Sequence, residues 1–186
     1  MNIMLFGLSN VGKTAAGRIL AEKLGYIFYD LDEEVRKKYN MTQLEFIDTF
    51  WLRNERDRLR GQLIGEILEN TGDKVIAVTP MYYSSHFSKY LKKRDDVIGI
   101  ELQDTPENIF NRLVFTDDND QVYEDSAEYR EKYKAYYLRE IKKDITYYKK
   151  SFARIENKFQ INNDPPEVVA DRLITEFGLD SKAVES

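Results

Sequence analysis

The chain has 186 residues, of which 42% are hydrophobic and 33% are charged, and its net charge is −5 at pH 7. This length suits one compact α/β domain, and the negative charge argues against a sequence-independent hold on nucleic acid phosphates. The sequence contains no cysteine and a single histidine, His86, which argues against disulfides, thiolate catalysis and zinc binding and fits a reducing cytoplasm. It also lacks the run of about 18 apolar residues that a membrane-spanning helix needs.

Hydrophobic patterning alternates between strand-like and helix-like segments, which is typical of βαβ units around a parallel sheet. Strands are predicted over residues 2–6, 26–29, 74–78, 97–102 and 159–161. Helices are predicted over residues 13–24, 33–39, 43–48, 52–69, 85–93, 106–115 and 165–177. Gly25 marks the end of the first helix, and Thr42 is a predicted N-cap. The pattern therefore predicts an α/β fold.

The segment before the last predicted strand has an unusual composition. Residues 116–126 are acidic with little apolar content, which predicts a loop. Residues 127–153 are rich in Lys, Glu and Tyr and predict one long helix or two short ones. Their tyrosines are more typical of rings packed on the core or on a second subunit than of stacking on single-stranded nucleic acid. We expect one domain over 1–178, with a lid and helical insertion at about 116–153 and a flexible tail over 179–186.

The segment from Gly7 to Thr14 matches the pattern G-x-x-x-x-G-K-[ST], and it lies between a predicted buried strand and a predicted helix. The backbone N–H groups of such a loop and the N-terminus of the following helix hold phosphate oxygens. Lys13 would supply a cation for the β- and γ-phosphates, and the Thr14 hydroxyl would ligate magnesium. A turn and helix cap with a chance Lys-Thr pair is the alternative, which the strand-before, helix-after context disfavours. The sequence thus predicts binding of ATP with Mg²⁺ through Gly7, Ser9, Asn10, Val11, Gly12, Lys13 and Thr14.

Two carboxylates, Asp30 and Asp32, follow the second predicted strand. Ligands of open α/β sheets lie at the carboxyl ends of the strands, and alternate residues of an extended stretch share a face. Both carboxylates can therefore point into one cleft. The alternative is that they are the N-cap and first-turn acids of the next helix, where they would favour its positive end. The phosphate loop nearby favours the functional interpretation.

With these motifs in place, the chain resembles the shikimate kinase family, small P-loop kinases that phosphorylate a hydroxyl of shikimate. The resemblance rests on the loop from Gly7 to Thr14 and on the segment from Phe28 to Asp32, which fits the family's F-x-D-x-D motif. Asn108 to Arg112, before a lid, and Tyr147-Tyr148, before the last strand, add support. The resemblance implies a three-layer α/β/α P-loop NTPase fold, nucleoside-monophosphate-kinase-like, with a five-stranded parallel sheet.

The resemblance also implies roles for the acidic pair and for Lys13. Asp30 would help to hold magnesium together with Thr14. Asp32 would bind the acceptor's hydroxyl groups and act as base or orienting group for the attacking hydroxyl. Lys13 and Asp32 are then the predicted catalytic residues.

Three arginines receive binding roles from the same resemblance. Arg56 lies at the family's usual spacing from Asp32 for a carboxylate-binding arginine, and Arg53 and Arg60 lie on the same helical face. A guanidinium binds a carboxylate through paired hydrogen bonds. Arg112 matches the arginine that stacks on the adenine ring. An ordinary solvated position is the alternative for each of them.

Three places depart from the family's pattern. Thr79-Pro80-Met81 stands where the family has three glycines that let bare backbone approach the acceptor. Residues 113–129 contain no Arg or Lys, although the family's lid carries an arginine; Arg130 and Lys132 are the nearest replacements. Asp144 lies near the place of a later acceptor-binding arginine. In the phosphate loop Asn10 replaces a glycine, a mild change because Asn tolerates a left-handed backbone.

The leading prediction is an ATP-dependent kinase acting on shikimate. One alternative is a kinase with a different small hydroxyl acceptor or a nucleotide, and another is a nucleotide-binding regulator with little phosphotransfer. We expect a small-molecule acceptor, no nucleic acid or membrane partner, a cytoplasmic location, and a monomer or weak homodimer.

Overall fold

The computed structural model of the chain describes residues 1–115, 119, 121–122 and 126–179. Its strands are β1 Asn2–Phe6, β2 Ile27–Asp30, β3 Lys74–Ala77, β4 Val97–Gln103 and β5 Asn157–Gln160. Its helices are α1 Lys13–Leu24, α2 Leu31–Tyr39, α3 Gln43–Thr49, α4 Arg53–Glu69, α5 Ser85–Lys93, α6 Pro106–Asn111, α7 Ala127–Phe152 and α8 Pro166–Phe177.

The five strands form one parallel sheet in the order β2-β3-β1-β4-β5. The central strand β1 pairs with β3 through Ile3 and Val75 and with β4 through Ile3 and Ile98. All five of its residues are buried, as expected for a parallel strand covered on both faces. Helix α1 packs against α8, α4 packs against α5, and α6 packs against α7. The predicted three-layer α/β/α fold with a five-stranded parallel sheet is confirmed.

Most predicted elements begin and end within two residues of their predicted bounds, but α6 is shorter than predicted. It ends at Asn111 instead of about Phe115, and Arg112 is its C-cap residue. Arg130, at the start of α7, donates hydrogen bonds to the carbonyls of Phe110 (3.1 Å) and Leu113 (2.8 Å). These bonds join the end of α6 and the residues after it to the start of α7.

Helix α7 is one continuous helix of 26 residues, which decides between the two predicted arrangements. Its rings pack on neighbouring elements: Tyr137 lies 5.2 Å from Phe115, and Tyr147 lies 4.7 Å from Tyr82, between ring centroids. The predicted acidic loop falls on residues most of which lie outside the described ranges. Within those ranges no helix is long and apolar enough to cross a membrane.

Candidate active site

The loop between β1 and α1 has a backbone that only certain residues adopt. Gly7 and Gly12 have φ angles of 134° and 114°, and Asn10 has a φ of 59°. A Cβ on Gly7 would lie 2.4 Å from the carbonyl oxygen of Leu102, so only glycine fits there. No side chain of the described residues caps the N-terminus of α1. Its first N–H groups and the positive end of its dipole are therefore available to an anion.

Lys13 is buried beneath this loop. Its Nζ donates hydrogen bonds to the carbonyl oxygens of Gly7 (2.9 Å) and Leu8 (2.7 Å). Burial lowers the pKa of Lys13 to about 8, while the negative charges of Asp32 and Asp30 act in the opposite direction. The charge of Lys13 therefore interacts with the charges of both predicted carboxylates, Asp30 and Asp32.

Asp30 uses its two carboxylate oxygens for different contacts. Oδ1 accepts hydrogen bonds from the backbone N–H groups of Asp32 (3.0 Å) and Glu33 (3.4 Å), which makes Asp30 the N-cap of α2. Oδ2 accepts a hydrogen bond of 2.6 Å from the Thr14 hydroxyl. The capping and functional interpretations of this residue are therefore compatible. A hydroxyl and a carboxylate at the phosphate loop are the hard oxygen ligands that Mg²⁺ takes together with nucleotide phosphates.

Asp32 lies in the first turn of α2 with 42% of its side chain exposed. Its Oδ1 accepts a hydrogen bond of 2.8 Å from the Thr79 hydroxyl and one of 3.4 Å from the Gln43 amide. Arg60 Nη2 lies 4.0 Å from the same oxygen. The carboxylate is thus fixed from one side and open to solvent on the other.

Arg60, in the third turn of α4, is a buried arginine that the predicted site did not include. It is 6% exposed, lies over the Phe46 ring and approaches Asp57 Oδ1 at 3.9 Å. Burial lowers its pKa, and the charges of Asp32 and Asp57 oppose that effect. Among the described residues its Nε has no hydrogen-bond partner. A buried guanidinium whose Nη2 lies beside Asp32 can bind an anion that enters the cleft.

The two predicted arginines of α4 have other contacts. Arg56 Nη1 donates to the carbonyls of Phe50 (2.7 Å), Trp51 (2.9 Å) and Ile47 (3.4 Å), at the end of α3. Arg53 Nη1 donates to the Tyr148 hydroxyl at 3.0 Å. Arg53 therefore joins α4 to α7, whereas Arg56 joins α4 to α3.

The loop that replaces the three glycines is held at several points. The Ser151 hydroxyl donates to the carbonyl of Met81 (2.6 Å), and the backbone N–H groups of Tyr82 and Tyr83 donate to Asp57 Oδ2 (2.9 and 3.0 Å). Asp57 is buried, and burial raises its pKa. The Met81 side chain is buried in the core. The Thr79 hydroxyl, by contrast, is directed at Asp32.

Arg112 lies beside the loop that follows β5. Its Nη2 pairs with Asp104, and its Nη1 donates to Asn163 Oδ1 at 3.3 Å. Asp104 also accepts from the Asn163 backbone (3.2 Å) and the Asn108 amide (2.7 Å). Burial acts to raise the pKa of Asp104, but these hydrogen bonds and the one from Arg112 outweigh it and lower the pKa. A cavity of about 580 Å³ lies between this cluster, the phosphate loop and α7.

Two departures from the family's pattern remain, the lid without an arginine and Asp144 near the place of a later acceptor-binding arginine. The residues at which the family's lid arginine was expected, 117–120, lie outside the described ranges except for Asn119. Arg130 contacts the end of α6, as described above. Asp144 lies on α7 near Arg53; burial and the charge of Glu140 raise its pKa, and Arg53 lowers it.

Together the fold and this site define a class of protein, a P-loop phosphotransferase that takes its phosphoryl group from a nucleoside triphosphate. A protein-family model described as shikimate kinase matches residues 9–176. The chain belongs to the shikimate kinase family.

Individual relatives agree with this assignment. The chain is 28% identical over 177 residues to a shikimate kinase of Thermodesulfovibrio yellowstonii, with 95% of this chain and 94% of the relative aligned. It is 37% identical over 81 residues to a shikimate kinase of Bacillus pumilus, an alignment that spans 41% of each chain.

Solved structures agree in fold. Shikimate kinase from Bacteroides thetaiotaomicron aligns with a TM-score of 0.74 at 17% identity, covering 96% of this chain and 98% of that one. Shikimate kinase from Acinetobacter baumannii, solved in complex with shikimate, aligns with a TM-score of 0.66 at 22% identity, covering 99% and 95%.

Proposed function

We propose that the protein transfers the γ-phosphoryl group of ATP to a hydroxyl of a small anionic acceptor, with shikimate as the leading candidate. The observation that carries the proposal is the placement of Lys13, the cation of the phosphate loop, within the electrostatic reach of both Asp30 and Asp32. Family membership supports the choice of shikimate, as does the shikimate complex of the relative from Acinetobacter baumannii.

In the proposed reaction the acceptor oxygen forms a bond to the γ-phosphorus, and the bond from that phosphorus to the bridging oxygen of ADP breaks. Asp32 takes the proton of the attacking hydroxyl or orients that hydroxyl in line with the leaving oxygen. Lys13 and the N–H groups of the loop, including those of Ser9, Asn10, Val11 and Gly12, hold the phosphates. This arrangement favours the charge that develops during transfer.

Magnesium would be held by the Thr14 hydroxyl and Asp30. Their oxygens lie 2.6 Å apart and share a hydrogen bond. The ion would either replace that hydrogen bond or bind the two oxygens through water molecules. When bound, the ion neutralises phosphate charge. Adenine would stack on Arg112, next to the cavity of about 580 Å³ that adjoins the phosphate loop.

The acceptor's anionic group would bind Arg60, whose Nη2 lies 4.0 Å from Asp32 Oδ1. A buried guanidinium is stabilised by a bound anion, because its N–H donors have otherwise lost their contacts with water. Arg53 stays a candidate for the same role, provided that it exchanges its bond to Tyr148. Arg56 stays a candidate only if it releases the carbonyls at the end of α3.

A second candidate, a kinase for a different hydroxyl acceptor, is favoured by Asp144. This carboxylate lies in electrostatic contact with Arg53, where it would weaken the attraction of Arg53 for an acceptor carboxylate. An acceptor with a neutral or cationic group at that end would avoid this cost. We also propose a cytoplasmic location and a monomer or weak homodimer.

A coupled assay of ADP release, with shikimate and a panel of small hydroxyl metabolites, tests the proposal. We expect shikimate to stimulate ADP release, and Asp32→Asn to lower kcat by roughly 100-fold or more while leaving Mg·ATP binding intact. Glu34→Gln is the matched control, because Glu34 lies on the same helix and pairs with the exposed Lys37 (2.6 Å).

Two outcomes would change the assignment. Stimulation by another metabolite and not by shikimate would select the second candidate. ATP binding without stimulation by any acceptor would contradict the kinase proposal and favour a nucleotide-binding regulator.

A further inference from the structure

The two oxygens of the Asp32 carboxylate have different surroundings. Oδ1 accepts from the Thr79 hydroxyl at 2.8 Å and from the Gln43 amide at 3.4 Å, and Arg60 lies 4.0 Å from it. Among the described residues, Oδ2 takes part in no hydrogen bond or ion pair. Because the two oxygens of a free carboxylate are equivalent, these contacts are what distinguish them.

The strongest of these contacts comes from Thr79. At 2.8 Å it has the ordinary length of a hydroxyl hydrogen bond to an oxygen acceptor, whereas the amide contact of Gln43 is longer and Arg60 is beyond hydrogen-bonding distance. Arg60 attracts the carboxylate, but a charge at 4.0 Å does little to fix the rotation of the side chain. The Thr79 bond is directional, and it therefore sets the orientation.

The position of Thr79 is itself closely fixed. The residue is 8% exposed, and the preceding Val78 donates its N–H to the carbonyl of Leu5 at 2.8 Å. Pro80 follows, and its ring fixes the backbone φ. The carbonyl of Met81 is bound by the Ser151 hydroxyl at 2.6 Å. The Thr79 hydroxyl thus extends from a rigid loop toward a carboxylate that is 42% exposed.

Two cations compete for the same carboxylate. Burial lowers the pKa of Lys13 and the charge of Asp32 opposes that shift, so these two charges interact, and Arg60 Nη2 lies 4.0 Å from Asp32 Oδ1. A carboxylate free to rotate would turn toward either cation and away from an incoming hydroxyl.

We propose that Thr79 is a positioning residue for phosphoryl transfer. It holds Oδ1 of Asp32 so that Oδ2 faces the acceptor hydroxyl and does not turn toward Lys13 or Arg60. The inference rests on the proposed kinase function, in which Asp32 contacts the acceptor. A glycine at this position has no hydroxyl and could not hold Asp32 in this way.

The test compares Thr79→Val, which keeps the shape and removes the hydroxyl, with Thr79→Ser, which keeps the hydroxyl. With the acceptor that the unmodified protein uses, Thr79→Val should lower kcat by roughly 10- to 100-fold, the scale of a misplaced catalytic group. Its affinity for Mg·ATP and its melting temperature should stay unchanged. Thr79→Ser should keep kcat within about threefold, because it restores the same donor.

A double-mutant cycle separates positioning from a general effect on the loop. In an Asp32→Asn background, Thr79→Val should cause little further loss, because the group it positions is already disabled. If Thr79→Val shifts the melting temperature, Thr79→Ala removes the same hydroxyl with less bulk, and the same fall in kcat would support the proposal.

Several outcomes would overturn it. These are full kcat in Thr79→Val, an equal loss in Thr79→Ser, or losses that multiply in the double mutant. If the unmodified protein turns over no acceptor, the proposed function fails and this inference fails with it. If the unmodified protein is active and Thr79→Val is equally active, only the positioning role fails.

Discussion

The buried ammonium of Lys13 should make nucleotide affinity depend on pH in the alkaline range. Burial lowers its pKa to about 8 from an ordinary 10.5. Protonated Lys13 is the form that attracts phosphate, and its fraction falls from about three quarters at pH 7.5 to about one in eleven at pH 9. If bound ATP restores the proton, the apparent affinity for Mg·ATP should be about eightfold weaker at pH 9 than at pH 7.5.

The sign of the effect on stability is opposite. Between pH 8 and 10.5 the folded chain holds fewer protons at Lys13 than the unfolded chain. The contribution of this residue to the free energy of unfolding therefore rises with pH over that window. A weaker affinity at pH 9 cannot then be attributed to unfolding caused by Lys13.

Calorimetric titration with Mg·ATP at pH 7.5 and 9, in two buffers of different ionisation enthalpy, measures both affinity and proton uptake. We expect uptake approaching one proton per ATP at pH 9 and about a quarter of a proton at pH 7.5. Lys13→Arg should remove this dependence because guanidinium stays protonated. Lys23→Gln, at an exposed lysine paired with Asp171, should keep it. Equal affinities at both pH values, without proton uptake, would refute the reasoning.

Three further outcomes follow from described contacts. Asp30→Asn should raise the Mg²⁺ concentration for half-maximal activity roughly tenfold, since Thr14 would keep only a neutral partner; an unchanged Mg²⁺ titration would contradict this. Asp57→Ala should lower the free energy of unfolding by about 3 kcal/mol in urea, because two loop amides lose their acceptor and a buried arginine loses its charge partner. Gly61→Ala should lower the free energy of unfolding by about 1–3 kcal/mol, because its Cβ would lie 2.6 Å from the carbonyl oxygen of His86. An unaltered urea midpoint would contradict this and show that α5 moves to make room for the methyl group.

The fold could be predicted because its signals are local. The buried run of β1, the glycine after α1 and the N-cap at Thr42 each lie within one element or at its end. The end of α6 could not be predicted, because Arg130, which binds the carbonyls of Phe110 and Leu113 there, lies 20 and 17 residues further along the chain.

The candidate site also has one part that could be predicted from the sequence and another that could not. The phosphate loop is a contiguous motif, and its sequence was sufficient to predict it. The acceptor side is assembled from distant residues: Thr79 lies 47 positions from Asp32. Periodicity placed Arg53, Arg56 and Arg60 on one face of α4, but could not tell which of them approaches Asp32. Arg56 is directed elsewhere by the carbonyls at the end of α3, a contact that no local pattern reveals.

The order of the strands has a consequence for how such a chain can diverge. The phosphate loop follows β1, which has a neighbour on each side, whereas Asp30 ends β2 and Asp32 follows it, and β2 is an edge strand that pairs with β3. Substitutions around β2 and α2 disturb fewer pairings than substitutions around β1. Changes around Asp32 at this edge can therefore alter the acceptor site while the pairings on both sides of β1, which hold the phosphate loop, stay in place.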